Sequence, residues 1–86
     1  MRVRIPTPLW SYTDGASEVD ADGATLAELL DDLDRRYPGL RFRVVDEQGR
    51  LRRHMRIFVN RATGHGLDDP LVPTDEVVLM QALSGG

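Results

Sequence analysis

The stretch Thr25-Leu26-Ala27-Glu28-Leu29-Leu30-Asp31-Asp32-Leu33-Asp34-Arg35-Arg36-Tyr37-Pro38-Gly39 decides the fold. Leu26, Leu29, Leu30, Leu33 and Tyr37 recur at helical spacing and gather on one face. Thr25 with Glu28 is a capping-box pattern: the hydroxyl accepts from an orphan amide and the carboxylate reaches back. Pro38-Gly39 stops the helix, and Arg35 and Arg36 sit against the negative end of its dipole. Asp31, Asp32 and Asp34 take the other face. At this spacing their carboxylates do not converge on a metal, so they read as a solvated helix face. A single helix with one leucine stripe needs a sheet to cover that stripe.

The flanking sequence supplies the sheet. Arg2-Val3-Arg4-Ile5 alternates, with Val3 and Ile5 inward, and Pro6 and Pro8 end the strand because neither donates to a ladder. Leu9, Trp10 and Tyr12 are expected in a loop over the edge of the core, with Trp10 covering it. Asp14-Gly15 marks a turn and Glu18-Val19-Asp20-Ala21 alternates again, so the first 22 residues read as a hairpin.

Beyond the helix, Leu40 to Val45 is apolar without a clear period, and its conformation is left open. Asp46-Glu47-Gln48-Gly49 is a turn. In the strand Arg56 to Asn60, alternation puts Ile57 and Val59 inward and Phe58 outward. Leu67 and Leu71 are the expected core anchors of the next segment. In the last strand Val77 and Leu79 face in while Val78 and Met80 face out, and Gln81 to Ser84 carry the chain off the sheet. This order implies an α+β fold, a mixed sheet curled around one main helix. The final strand lies parallel beside the first, with hairpin and helix as the crossover, which is the β-grasp layout.

Composition narrows the function classes. Eighty-six residues, 41% apolar and 29% charged, make one ordinary globular domain with a small core. The absence of cysteine excludes disulfides and a thiol nucleophile. All eleven cationic residues are arginine, so apart from its amino terminus the chain offers no amine to an acyl group carried by another copy. A net charge of −3 argues against nucleic acid as the main partner. Arg50, Arg52, Arg53 and Arg56, around Leu51 and Met55, form the one basic patch, read as a solvated strand entrance. His54 and His65 are too far apart for local metal-ligand spacing and read as surface residues. No run is long enough to span a membrane and the first residues are too polar for a signal peptide, so the cytoplasm is expected.

Ile5-Pro6-Thr7, Thr25-Leu26 with its leucine face and Tyr37-Pro38, Ile57-Phe58-Val59-Asn60, and Asp75-Glu76-Val77 leading to Gly85-Gly86 span nearly the whole chain. In this order they resemble the MoaD/ThiS family of ubiquitin-like sulfur carriers. The Ile-Pro-Thr opening and the longer loop from Asp46 to Arg53 are closest to its CysO-type members. Ala82, Leu83 and Ser84 depart from the prolines and valine of many molybdopterin-type members.

The resemblance implies one domain, 1–86, with a flexible diglycine tail from about residue 82. It implies a carrier that is a co-substrate of enzymes and not itself an enzyme. A MoeB/ThiF-like activating enzyme would adenylate the Gly86 carboxylate with ATP. A sulfur donor would displace AMP to leave a thiocarboxylate, and a sulfur-accepting biosynthetic enzyme would receive the sulfur. ATP belongs to the partner; the carrier binds no cofactor or metal.

Gly85 and Gly86, without Cβ atoms, suit a narrow channel, with Ser84 also threaded and Leu83 as the tail anchor. Phe58, Val78 and Met80, on the outer sheet face, are the expected docking residues. The free carrier is expected to be monomeric, with neither nucleic acid nor membrane as partner. Two readings stand beside this one: a ubiquitin-like modifier conjugated through Gly86, and a small subunit of molybdopterin synthase type. The sulfur acceptor (cysteine, a cofactor or a secondary metabolite) is left open.

Overall fold

Two strands far apart in the chain close the molecule. In a computed structural model, which describes residues 1–63 and 66–82, β1 (Arg2–Arg4) pairs antiparallel with β2 (Glu18–Asp20) and parallel with β4 (Val77–Gln81). β3 (Met55–Val59) pairs antiparallel with β4, giving the order β2-β1-β4-β3. The alternation expected in each strand holds. Val3, Ile5, Ile57, Val59, Val77 and Leu79 are buried and Met80 is exposed.

Helix α1 (Leu26–Arg36) lays Leu26, Leu29, Leu30 and Leu33 into the same core cluster. Thr25 Oγ1 accepts from the Glu28 amide at 3.2 Å, the hydroxyl half of the expected cap. The next two orphan amides find partners far along the chain. Leu26 N–H donates to the Asp69 carbonyl at 3.3 Å and Ala27 N–H to that of Leu67 at 2.8 Å. Leu71 is buried and Leu67 packs partly buried against the core, so that segment both anchors and caps.

Three expectations are corrected. Leu9, Trp10 and Tyr12 lie in a 3-10 helix (Thr7–Tyr12), not a loop. Prolines that cannot continue a ladder are at home in the first turn of a helix, where no amide is needed. Asp32 does not face solvent: it is buried, on the flank of the leucine stripe. Its carboxylate accepts from the Asp22 amide at 2.9 Å and from Arg35 and Arg36 at 2.8 and 2.9 Å. Gln81 does not leave the sheet, because it is the last residue of β4, opposite Met55. Leu40 to Val45, left open above, contains a short helix, α2 (Leu40–Val44), entered through Gly39 at φ 95°. Asp34 accepts from the amides of Gly39 and Arg41 there.

A second long-range lock ties the end of β3 to the start of β4. Asn60, at φ 51°, donates from its side-chain amide to Asp75 at 2.9 Å and accepts from the Glu76 amide at 3.0 Å. Asparagine tolerates this left-handed backbone better than most residues. Asn60 and Asp75-Glu76, separate pieces of the resemblance, are thus one hydrogen-bonded unit.

Two outcomes are expected. A Cβ at Gly23 would stand 2.3 Å from the Leu29 amide nitrogen and 2.7 Å from its Cα, so Gly23→Ala costs about 3 kcal/mol in denaturant unfolding, the upper end of overpacking. The Asp22 amide first, then the two arginines, hold the Asp32 carboxyl below its ordinary 3.8 against the opposing effect of burial. A lowered folded-state value means stability present above that ordinary value and lost as pH falls through the lowered one. Asp32→Asn is therefore less stable than the parent near neutral pH, and the gap narrows as acid takes the pH down through the lowered carboxyl value, read from denaturant midpoints.

Candidate functional site

The outer sheet face is organised by strand register. Val78 of β4 lies opposite Phe58 of β3 on one side and Arg4 of β1 on the other, and Arg4 lies opposite Glu18 of β2. One transverse row therefore reads Glu18, Arg4, Val78, Phe58. Arg4 and Glu18 pair at 3.0 Å, which closes the polar end of the row and leaves the apolar end to Val78 and Phe58. Met80, 47% exposed, follows in the next row opposite Arg56. The Arg56 guanidinium donates to the carbonyls of Arg53 and Met55, so it is held along its own strand. The three predicted docking residues thus share one face, with Phe58 and Val78 half-buried and Met80 the most open.

Val78 and Met80 also line a groove of about 640 Å³ whose other wall includes Arg4, Pro6, Pro8 and Trp10. Phe58 stands outside this groove, across Val78. Trp10 is half-buried against the core, and its indole N–H donates to the Ile5 carbonyl at 2.8 Å. It covers the core and lines the groove at once. The prolines and Trp10 were not among the predicted site residues. The signal was the paired prolines, which by turning β1 into a 3-10 helix bring the indole over the end of the sheet.

The groove lies at the end of the sheet where β4 finishes. β4 finishes at Gln81, and the Ala82 amide donates to the His54 carbonyl at 2.7 Å, one step past the ladder. Leu83, Ser84, Gly85 and Gly86, the predicted threading and attachment residues, lie outside the described residues, as does His65. Among the described residues, no group of three or more histidine or acidic side chains is arranged to hold a metal ion. None of their helices is long and apolar enough to cross a membrane.

A mixed four-stranded sheet with a parallel β1/β4 centre, packed on one main helix, is the ubiquitin-like β-grasp, and solved structures carry the same arrangement. The ThiS family model matches residues 3–86, and the chain belongs to that family. It is 37% identical to the sulfur carrier protein CysO of Mycobacterium tuberculosis over 98% of this chain and 96% of that protein. A chain of the crystal structure of the Amycolatopsis orientalis BexX/CysO complex superposes with a TM-score of 0.90 at 34% identity, covering 99% of this chain and 98% of that one. SAMP1 of Haloferax volcanii, a small archaeal modifier protein, superposes at 0.78 with 30% identity, over 99% and 97% of the two chains.

The exposures separate the docking residues energetically. Met80→Ser, at an open position, changes stability by within about 0.5 kcal/mol. Phe58→Ala, which removes a half-buried ring from its cross-strand pair, costs about 1–2 kcal/mol. Denaturant midpoints of the two variants check this, and equal losses would contradict the placement.

Proposed function

We propose that this chain is a sulfur carrier, with the carboxylate of Gly86 as its C-terminal functional group. The observation that carries the reading is its relationship to CysO over nearly the full length of both proteins, with the family match running through residue 86. A carboxylate is a poor electrophile. An activating enzyme of MoeB/ThiF type joins it to AMP from ATP, releasing pyrophosphate and creating a leaving group. Sulfur then attacks the carbonyl carbon; the new C–S bond forms as the C–O bond to AMP breaks, and AMP departs with the electron pair. The product is a Gly86 thiocarboxylate, whose sulfur an acceptor enzyme draws into a biosynthetic product.

This chain contributes delivery in place of chemistry. Gly85 and Gly86 have no side chain to obstruct the carbonyl under attack, and Ser84 and Leu83 thread and anchor behind them. Ordering such a segment costs roughly 1–2 kcal/mol per residue, so the tail alone docks weakly. Phe58, Val78 and Met80, together on one face, offer the second contact that offsets this cost. ATP is consumed by the partner. The likeness to SAMP1 supports a second reading, a modifier joined through Gly86 to amines of other proteins. Isopeptide-linked adducts in lysate would support it, and a carrier that does both is consistent with the same activated glycine.

Incubation with an activating enzyme encoded in the same genome, ATP and sulfide is expected to add about 16 Da at the C-terminus, oxygen replaced by sulfur. Deleting Gly86 should abolish the gain, and sulfur loading that survived the deletion would refute the assignment. Met80→Asp is expected to raise the KM for the carrier by about tenfold with kcat little changed, since it removes docking and leaves the carboxylate intact.

A further inference from the structure

Charge is divided unevenly along this chain. Residues 41–56 hold six of its eleven arginines and two of its fourteen acids, an excess of positive charge within a chain of net charge −3. Arg2 and Arg4 pair with Glu18 and Arg35 and Arg36 with Asp32, and within the 41–56 segment Arg41 pairs with Asp31. Among the described residues Arg43, Arg50, Arg52, Arg53 and Arg56 make no ion pair within 4.0 Å. Arg52 instead donates to the Phe42 carbonyl at 2.6 Å and lies over the Phe42 ring at 4.5 Å, while Arg43 lies 5.9 Å from the Tyr12 ring. Asp46 is the nearby acid, and it spends one oxygen on the amides of Gln48 and Arg50. The guanidiniums of Arg43, Arg52 and Arg56 are held by carbonyls and rings, which position them without an ion pair, while Asp46 feels the positive charge of Arg50 and Arg52.

Two of these residues, Arg43 and Arg52, flank an apolar centre beside the end of β4. Phe42 is 52% exposed. With Pro8, Arg43, Arg52, His54 and Gln81 it lines a hollow of about 330 Å³. Gln81 ends β4 and the His54 carbonyl accepts from the Ala82 amide, so the hollow lies beside the end of β4, and Trp10 is not among its walls. We infer that this hollow is a second docking surface, which takes an acidic, apolar-anchored segment of the enzyme that receives the tail. Its carboxylates pair with Arg43 and Arg52 while an apolar side chain packs on Phe42. The inference rests on the carrier reading for the identity of the partner. A carboxylate-bearing protein fits better than a nucleic acid. The positive field is local, and the rest of the chain has five arginines against twelve acids and repels a long polyanion.

Two measurements test this. Sulfur loading of the whole chain by the activating enzyme is followed at about 25 and 300 mM salt, with carrier concentration varied. Arg43→Glu, at an exposed position held only by a ring contact, and Arg43→Glu/Arg52→Glu are expected to raise KM by about fivefold and twentyfold at low salt, with kcat kept. Arg43→Lys should stay within about twofold of the parent. An unchanged KM in both glutamate variants, with the parent still loaded, overturns the surface and leaves the carrier reading standing.

If the parent is not loaded at all, the carrier reading fails. The surface is then judged on amide shifts of the labelled parent titrated to about 1 mM with a ten-residue peptide of alternating glutamate and leucine, and separately with a ten-nucleotide single strand. Salt-sensitive shifts at residues 42–43, 52–54 and 81–82 with the peptide, lost in Arg43→Glu, support the inference. Shifts with the oligonucleotide alone, or with neither probe, overturn it.

Discussion

β4 has a hydrogen-bonded neighbour on each side, parallel β1 and antiparallel β3, and everything the molecule presents depends on that. An edge strand can fray or slip. A central one cannot shift by a residue without breaking two ladders and turning Val77 and Leu79 out to water. Those two side chains are 0% and 2% exposed, so a slip would expose nearly all of both; at ordinary transfer values that costs about 3–6 kcal/mol, a large part of a small domain's stability. β4 thus shares with β1 a register held from both sides. The end of β4, beside His54, is fixed by the core.

The same constraint accounts for the middle of the chain. Parallel pairing of β1 with β4 needs a crossover, and β2 followed by α1 provides it. The helix that covers the inner face is capped by carbonyls of Leu67 and Asp69, from the segment that leads back into β4. Asn60 then joins the exit of β3 to the entry of β4 through Asp75 and Glu76. Each lock joins segments distant in sequence around the strand that carries the tail.

The parts legible from sequence were those written in short-range periodicity. Helix α1 and the in-out pattern of all four strands follow from spacing alone, and so does the outward placement of Phe58, Val78 and Met80. Asp32 was misread for a physical reason. Its position beside Leu29 and Leu33 is marginal on a helical wheel, and what draws it inward is the amide of Asp22, on a segment whose approach periodicity does not reveal. Gly23 belongs with it, since its lack of a side chain lets that same segment touch the helix backbone. Trp10 and the prolines form a groove wall only because β4 returns beside β1, a pairing that leaves no mark near residue 10. The basic patch was visible as composition, but its exposed aromatic centre was not, because Phe42 lies in the one stretch without a readable period.

A carrier must also be released, and the distribution of surface chemistry bears on that. Of the exposed large apolar residues, Met80 lies in the groove and Phe42 in the smaller hollow, while Leu51 and Val72 line neither. Neither is large enough to resemble the centre of a permanent interface, which is broader and more continuous. Charge placed around them raises the encounter rate without adding much to the lifetime of the complex. A body with small apolar anchors, local positive charge and a centrally rooted exit is suited to successive short engagements.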